Sequence, residues 1–301
     1  MNRNRFIKAI VFVLLAAGVL QGGIMAYSAV ANQTVRKYAA EVPAANAQNT
    51  ASDTAVQEVE IPKEELDISN VVLKKEVEDN ITGLDAANSV RNIKNYKTLL
   101  AALEVPGSFQ AQVEEMYSKG HKVQDVLAAY DYLYQNYGNI YELEGLILQK
   151  ESGKAWKDIF KEYKKGKEEF VPRNFQGGEL EKIFKTPGIT SDDVIIADRI
   201  AVQTGAEFDE LIAMRGQGMN WKAINEGFGI VNTSGELPRA AITSAQVKSH
   251  MKSTGLNEGK VLEALVLAQK LDKDGKAVIE KIKAGNDEED IIAESLEEKY
   301  R

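Results

Sequence analysis

The segment Gly218-Met219-Asn220-Trp221-Lys222-Ala223-Ile224 carries the local signals that end one helix and begin the next. Gly218 lacks a Cβ, so it can adopt the left-handed backbone conformation that closes a helix at its C-terminus. Asn220 can cap the following helix, because its side-chain oxygen can accept a hydrogen bond from a backbone N–H of the first turn. Ile224 is then the fourth residue of that helix, where it can contact Met219 as a hydrophobic staple. The segment therefore predicts two helices joined at a fixed angle.

The same spacing, a glycine followed six positions later by a β-branched residue, occurs six times after residue 80. The predicted cap glycines are Gly120, Gly153, Gly188, Gly218, Gly255 and Gly285. The branched residues are Val126, Ile159, Val194, Ile224, Val261 and Ile291. The N-cap position carries a capping side chain at Thr190, Asn220, Asn257 and Asp287, and carries none at Lys122 and Ala155. We expect looser junctions after Gly153 and Gly285, which lack an apolar staple pair, and at Pro187, which disfavours a helical residue before it.

Alternate cap glycines are 65 to 68 residues apart, so the period contains two junctions. Three copies are predicted, at 108–175, 178–240 and 243–301, and each has a long helix that ends near Gly138, Gly205 or Gly275. No segment in these copies alternates between apolar and polar residues as a strand does. The predicted fold is therefore all-α, with tandem helical repeats of about 67 residues stacked as a short solenoid or a compact bundle.

The two tryptophans follow cap glycines, in Gly153-x-x-Trp156-x-x-Ile159 and Gly218-x-x-Trp221-x-x-Ile224. This motif resembles the helix junctions of uncharacterised exported bacterial helical-repeat proteins, and the resemblance covers roughly residues 108 to 230. It implies export and a helical fold, and it implies no reaction. The recurrence of Trp156 and Trp221 favours packing between neighbouring units over ligand contact, with an array that binds a polymer as the exception.

The first 31 residues are predicted to be a signal peptide or a membrane anchor. Three basic residues, Arg3, Arg5 and Lys8, precede the apolar run Ala9–Leu20, and Ala29-Val30-Ala31 fits a cleavage site. Apolar residues continue to Ala31, which is enough for an uncleaved span. In either case we expect the rest of the chain outside the cytoplasm, secreted or attached to the bacterial envelope. Residues 32–75 are predicted to be a disordered linker, 76–107 a helical lead-in and 108–301 the repeat domain.

Composition excludes several chemistries. The 301 residues include 45 acidic and 37 basic side chains, two histidines and no cysteine. Disulfides, thiolate metal sites and cysteine nucleophiles are therefore absent. The net charge of −8 argues against nucleic acid as a partner, because phosphate binding needs a basic surface. His121 and His250 have no companion at metal-ligand spacing, so we expect no metal and no cofactor.

Tyr130, Tyr134, Tyr137 and Tyr141 recur at intervals of four, three and four residues, which would place them on one helix face. Such a face could stack on sugars or contact a partner helix. In the alternative interpretation, Tyr130 and Tyr137 pack beside the core stripe of the same helix.

The stretch from Lys150 to Lys185 is the one locally cationic region, with ten basic and seven acidic residues. Its candidate binding residues are Trp156, Lys164, Lys165, Lys167 and Arg173. They could bind a wall polyanion or an acidic lipid surface. The alternative is an ordinary solvated helix face.

Glu142, Glu144 or Glu207 could act as a general acid in a wall-cleaving enzyme. The sequence does not pair two carboxylates across a cleft, so we assign no catalytic residue. We expect a non-catalytic interaction or scaffold protein at the bacterial cell envelope, with a protein or a cell-wall polymer as partner. A membrane contact is expected only through an uncleaved N-terminal segment. The alternatives are a cell-wall-active hydrolase and a helix-turn-helix nucleic-acid binder over residues 193–217, which the acidic charge and the export pattern disfavour.

Overall fold

The computed structural model describes residues 66–301 and the backbone of a short strand, β1 (Phe12–Leu14). Most of the predicted export signal and most of the predicted linker lie outside these residues. The described part contains fourteen α-helices, so the all-α class is confirmed. Leu73 is buried in the core, and the ordered part therefore begins before residue 76, the predicted end of the linker.

Two helices lead into the fold, α1 (Lys75–Leu84) and α2 (Ser89–Ala102), with a 3₁₀ turn at Ala86–Asn88 between them. The next four are α3 (Gly107–Ser118), α4 (Val123–Gln135), α5 (Leu143–Glu151) and α6 (Trp156–Lys165). They are followed by α7 (Glu179–Ile183), α8 (Ser191–Thr204), α9 (Phe208–Gly216) and α10 (Trp221–Gly227). A strand, β2 (Arg239–Ala241), precedes α11 (Ser244–Thr254), α12 (Glu258–Lys270), α13 (Gly275–Lys283) and α14 (Glu288–Tyr300).

All six predicted cap glycines have positive φ angles, from 74° at Gly255 to 98° at Gly153, which is the left-handed conformation that the C-cap assignment requires. At Gly218 the Met219 N–H donates to the Met214 carbonyl at 3.2 Å, and this bond closes the end of α9. The equivalent bond forms after Gly153 and Gly285, at 3.4 and 3.1 Å. The expectation of looser junctions there was wrong in this respect, because the closing bond joins two backbone groups and needs no apolar side chain.

The junction at Gly188 differs from the others, as Pro187 predicts. Helix α7 is only five residues long and ends at Ile183, before the proline. The chain then turns through a bond from the Ile189 N–H to the Thr186 carbonyl at 3.3 Å.

The predicted N-caps are confirmed. The side chains of Thr190, Asn220, Asn257 and Asp287 each accept a hydrogen bond from the backbone N–H three residues later, whereas Lys122 and Ala155 make no side-chain cap. The six branched residues at the fourth helical position are all buried. Local backbone chemistry thus accounts for where these helices begin.

The long helices end slightly differently from the prediction. Gly205 is left-handed at the end of α8, but the left-handed residues after α4 and α12 are Tyr137 and Asp272. Gly275 begins α13 rather than ending the helix before it. Gly138 is required for space, because a Cβ there would lie 2.4 Å from Leu133 Cδ2.

Two separate clusters of buried apolar side chains hold the helices together. The main core unites α1 to α6 with α11 to α14, and α14 packs against α4 and α6. The middle core is formed by α8, α9 and α10 with Phe170 and Leu237. We call residues 170–237 the middle body. The first and last thirds of the described chain therefore share one core, and the segment between them has its own.

The strand β2 has partners on both edges. It pairs antiparallel with β1, and Val13 lies opposite Ala240. On the other side, the Gln269 side-chain amide accepts from the Ala241 N–H at 3.0 Å and donates to its carbonyl at 3.1 Å. Within the described residues, no helix is both long enough and apolar enough to span a bilayer.

Candidate functional site

An uncharged strip of side chains on α5 and the preceding 3₁₀ turn (Ile140–Glu142) faces solvent. Tyr141 is 79% exposed and Leu148 is 51% exposed. Gly145 lies between them at helical spacing, and a Cβ there would meet no atom within 4 Å. We call Tyr141, Gly145 and Leu148 the α5 face. It offers an aromatic ring, a shallow gap and an aliphatic side chain in a row.

The turn that carries Tyr141 is held by a network of short hydrogen bonds. The Tyr141 N–H donates to Asn139 Oδ1 at 3.0 Å, and the Asn139 N–H donates to Glu142 Oε2 at 2.8 Å. Asn139 Nδ2 also donates to the Phe228 carbonyl at 3.1 Å. Because the backbone is fixed, a ligand that contacts the ring pays little ordering entropy.

The predicted face of four tyrosines does not form. Tyr130 and Tyr137 are buried, and Tyr134 is half-buried against the main core. Burial raises the pKa of Tyr134 to about 12. Helix α4 ends at Gln135, and the backbone at Tyr137 is left-handed. Tyr137 and Tyr141 therefore do not lie on the helix face predicted from the spacing. Tyr141 is the one member of the series that is freely exposed.

The cationic residues of α6 contact the acidic first turn of α14. Lys164 Nζ lies 2.9 Å from Glu288 Oε2 and 2.6 Å from Glu289 Oε1. Lys161 Nζ lies 2.9 Å from an Asp287 oxygen and 2.7 Å from Asp290 Oδ1. The hydrogen bond to Asp290 raises the pKa of Lys161 above its ordinary value. These lysines therefore join two helices of the main core.

The other predicted contacts of the cationic stretch are also mostly occupied. Lys167 pairs with Glu142, and Arg173 Nε donates to Asp198 Oδ1 at 2.8 Å. Trp156 is buried in the main core. Lys165 is exposed and has no ion pair within residues 66–301. Of the five residues proposed from this stretch, Lys165 alone is free to meet a polyanion.

A buried carboxylate that the sequence analysis missed binds one tryptophan. Trp221 Nε1 donates to Asp193 Oδ1 at 2.6 Å, and Arg215 Nε donates to the same oxygen at 2.8 Å. Burial raises the pKa of Asp193, but the hydrogen bonds from Arg215 and its other donors outweigh burial and leave that pKa below its ordinary value. The contact ties α8 to the end of α9 and the start of α10.

In the first predicted copy, the positions of Asp193, Arg215 and Trp221 are occupied by Asp125, Lys150 and Trp156. Trp156 donates to Asp125, whose pKa is raised chiefly by burial, and Lys150 Nζ lies 5.4 Å from the centre of the Trp156 ring. The last copy has Lys260, Ile282 and Glu288 at these positions. The signal that would have found the contact is the acidic residue five positions after Gly120 and Gly188, in the two copies that also carry a tryptophan three positions after the next cap glycine.

His121 lies between two carboxylates of α5. Its Nδ1 atom is 2.9 Å from Glu151 Oε1, and its Nε2 atom is 3.7 Å from Glu144 Oε1. Lys119 Nζ lies 3.0 Å from Glu144 Oε2, and this hydrogen bond lowers the pKa of Glu144. Glu151 thus binds one ring nitrogen of His121, and the other nitrogen faces Glu144.

Two of the candidate general acids, Glu142 and Glu144, have environments that favour their ionised forms. Burial opposes ionisation of Glu142, but hydrogen bonds from Lys167 and Tyr163 lower its pKa overall. The Tyr163 hydroxyl donates to Glu142 Oε2 at 2.6 Å. A general acid needs a raised pKa to hold its proton near neutral pH. Glu207 lies at the N-cap of α9 and makes no side-chain cap.

Two cavities of the described part are small or shallow. One, of about 80 Å³, lies between α2 and α14 beside Leu99, Leu103 and Tyr300. Another, of about 400 Å³, is an open depression at the start of α2 beside Val90 and Lys94. Small-molecule pockets are typically ~300–1,000 Å³ and enclosed on several sides. In residues 66–301 no three His, Asp or Glu side chains form a group that could hold a metal ion.

Comparisons with protein-family models, with curated proteins and with solved structures found no match.

Proposed function

We propose that this chain is an exported, non-catalytic interaction or scaffold protein of the bacterial cell envelope. The basic and apolar residues of its first 31 positions support export. Its partner is a protein or a cell-wall polymer. The resemblance of its Gly-x-x-Trp-x-x-Ile motifs to exported helical-repeat proteins points in the same direction.

The observation that carries the proposal is the exposed α5 face. Tyr141 and Leu148 are large apolar side chains on a rigid turn and helix, and no described residue covers them. Exposed aromatic residues on fixed backbone are efficient anchors, because little side-chain entropy is lost on binding. The titratable groups nearby, Glu142, Glu144 and His121, are engaged in internal contacts.

We further infer that the scaffold consists of three copies of a four-helix unit. The left-handed residues Tyr137, Gly205 and Asp272 each follow a cap glycine, Gly120, Gly188 and Gly255, by 17 positions. The shared core of the first and last copies favours a compact bundle over a linear solenoid, in which each unit contacts only its sequence neighbours.

Binding to isolated bacterial cell walls and to envelope proteins tests this function. We expect the double variant Tyr141→Ser/Leu148→Ser to bind about tenfold more weakly, because both anchors are lost. Val202→Ser is the matched control, since Val202 is an exposed apolar residue (38%) on α8, in the middle body. Equal binding by the wild type and the double variant would refute the role of the α5 face.

The hydrolase alternative is tested in the same preparation by following the release of peptidoglycan fragments. We expect no release by the wild type. Turnover that is abolished in Glu142→Gln, Glu144→Gln or Glu207→Gln would replace the scaffold function by a catalytic one. A salt-sensitive shift of duplex DNA would instead support the nucleic-acid alternative.

A further inference from the structure

The chain passes from the middle core to the main core through an irregular segment that docks on the end of α4. We call Gly229–Asn232 the clasp. The Ile140 N–H donates to the Gly229 carbonyl at 2.8 Å, and the Val231 N–H donates to the Gly138 carbonyl at 2.9 Å. Between these bonds, Asn139 and Ile230 form an isolated antiparallel bridge. Two backbone bonds therefore fasten the middle body to the main core at this point.

Polar contacts surround the clasp, whose two apolar residues, Ile230 and Val231, are buried. Asn232 Nδ2 donates to the Tyr134 carbonyl at 3.0 Å, and Asn225 Nδ2 donates to the Asn232 carbonyl at 2.6 Å. The Arg199 guanidinium lies 4.7 Å from the centre of the Tyr137 ring. A second tie is the ion pair between Arg239 and Asp192 at 2.9 Å. Polar interfaces of this kind permit relative motion of the bodies that they join.

We call the contact between the middle body and the main core the seam. In its closed form it leaves polar atoms without hydrogen-bond partners among the described residues. The Tyr137 hydroxyl and Asn225 Oδ1 are buried and have no hydrogen-bond partner in the described part of the chain. Both lie where the two bodies meet, since Tyr137 contacts Arg199 and Asn225 contacts the clasp. Unpaired buried polar atoms destabilise the closed state, and water would satisfy them if the seam opened.

Each body has internal contacts that do not depend on the seam. The middle body has its own apolar cluster and the Asp193 contact with Trp221 and Arg215. The helices of the middle body pack chiefly on one another, as α8 does on α9. Opening of the seam would expose Tyr137, Ile230 and Val231, which are buried in the closed state, but it would leave the apolar clusters within each body packed.

We propose that the clasp is a releasable fastening, and that the middle body swings away from the main core as a unit while both cores stay folded. This motion is independent of whether the partner is a protein or a wall polymer. Its signature is a loss of the two clasp hydrogen bonds without loss of helix in α4 or α8.

Hydrogen exchange of the full-length wild type tests the motion. We expect the amides of Ile140 and Val231 to exchange about 100-fold faster than those of Leu133 in α4 and Ile200 in α8, because seam opening requires less free energy than core unfolding. Both core residues are fully buried. Equal protection at all four amides would mean that the bodies open only by global unfolding, and would overturn the proposal.

An engineered disulfide distinguishes movement of the body from local fraying. The chain has no cysteine, and Asn139 and Ile230 face each other as a pair that is not hydrogen-bonded to one another, which brings Cα atoms to about 4.5 Å. In oxidised Asn139→Cys/Ile230→Cys, we expect exchange at Ile140 and Val231 to slow to the core rate and to recover on reduction. The single variant Asn139→Cys is the control. Fast exchange that persists in the oxidised form would show fraying of the loop alone and would contradict the proposal.

Discussion

Asp193 shows how one buried side chain can organise three helices. It accepts hydrogen bonds from Arg215 and from the Trp221 indole, at 2.8 and 2.6 Å. The sequence predicts packing for Trp221 but no polar partner, because the carboxylate lies 28 residues earlier on another helix. A comparison of the predicted copies reveals this contact. The positions of Asp193 and Trp221 hold Asp and Trp in the first two copies, and Lys260 and Glu288 in the last.

Replacement of Asp193 by Asn should destabilise the fold by ~1–3 kcal/mol at neutral pH, because Arg215 and Trp221 lose a charged acceptor. The folded state lowers the pKa of Asp193, so its stabilising contribution is complete above the ordinary value of about 3.9 and is lost as the pH falls below it. The difference in the free energy of unfolding between wild type and variant should therefore become smaller on going from pH 7 to about pH 3, as measured by urea unfolding.

Asp209→Asn, at an exposed position in the first turn of α9, is the control and should change stability little at either pH. If Asp193→Asn lowers the free energy of unfolding by the same amount at both pH values, the charge of Asp193 does not have the proposed role.

The tyrosine series illustrates a limit of spacing arguments at single residues. The intervals from Tyr130 to Tyr141 are helical, but the backbone turns left-handed at Tyr137. A bulky residue in that conformation is uncommon, so local sequence did not predict the turn there. Burial of Tyr137 under Arg199 holds it in place through a contact with the middle body, which sequence spacing could not reveal.

At the scale of the helix, the sequence predicted boundaries well because caps are local. Thr190 and Asp287 bind backbone groups only three residues away, so the interaction is contained in a short segment. The pairing of α6 with α14 was not predicted. Lys164 and Glu288 are 124 residues apart. The sequence of a lysine-rich helix does not indicate whether its lysines face solvent or an acidic helix.

Gly218→Ala tests the left-handed junction between α9 and α10. We expect a loss of about 1 kcal/mol in the free energy of unfolding, because φ is 91° and Ala resists that conformation. Steric clash does not contribute, since an added Cβ would meet nothing within 4 Å. Gly145→Ala, in the first turn of α5, is the matched control and should stabilise the chain by about 0.5 kcal/mol. Equal effects of the two changes in urea unfolding would be evidence against the cap.

For the whole molecule, the sequence period predicts three similar segments but not their arrangement. The predicted copies carry branched apolar residues at equivalent positions, so this pattern does not indicate which two of them share a core. Which copies share a core depends on differences between them. For example, Glu288 of the last copy forms an ion pair with Lys164 of the first. The docking residues Tyr141 and Leu148 were equally hard to assign, because exposure is decided by which neighbours cover a helix.

The two tryptophans report separately on the two cores. Trp156 belongs to the main core and Trp221 to the middle core. We expect Trp156 fluorescence, followed in Trp221→Phe, to change at higher urea concentration than Trp221 fluorescence, followed in Trp156→Phe, because the larger core buries more apolar surface. Circular dichroism of the wild type should then span both transitions. Coincident transitions by all three measurements would show that the chain unfolds as one cooperative unit.

The position of α14 also sets the order in which the protein can mature during synthesis. The Tyr300 hydroxyl binds Asp131, which is 169 residues earlier in the chain. Helices α4 and α6 therefore keep part of their apolar surface uncovered until α14 has been synthesised, more than a hundred residues later, whereas the apolar cluster of the middle body is complete by Leu237. A nascent chain whose larger core is completed only by α14 stays incompletely folded for longer during synthesis.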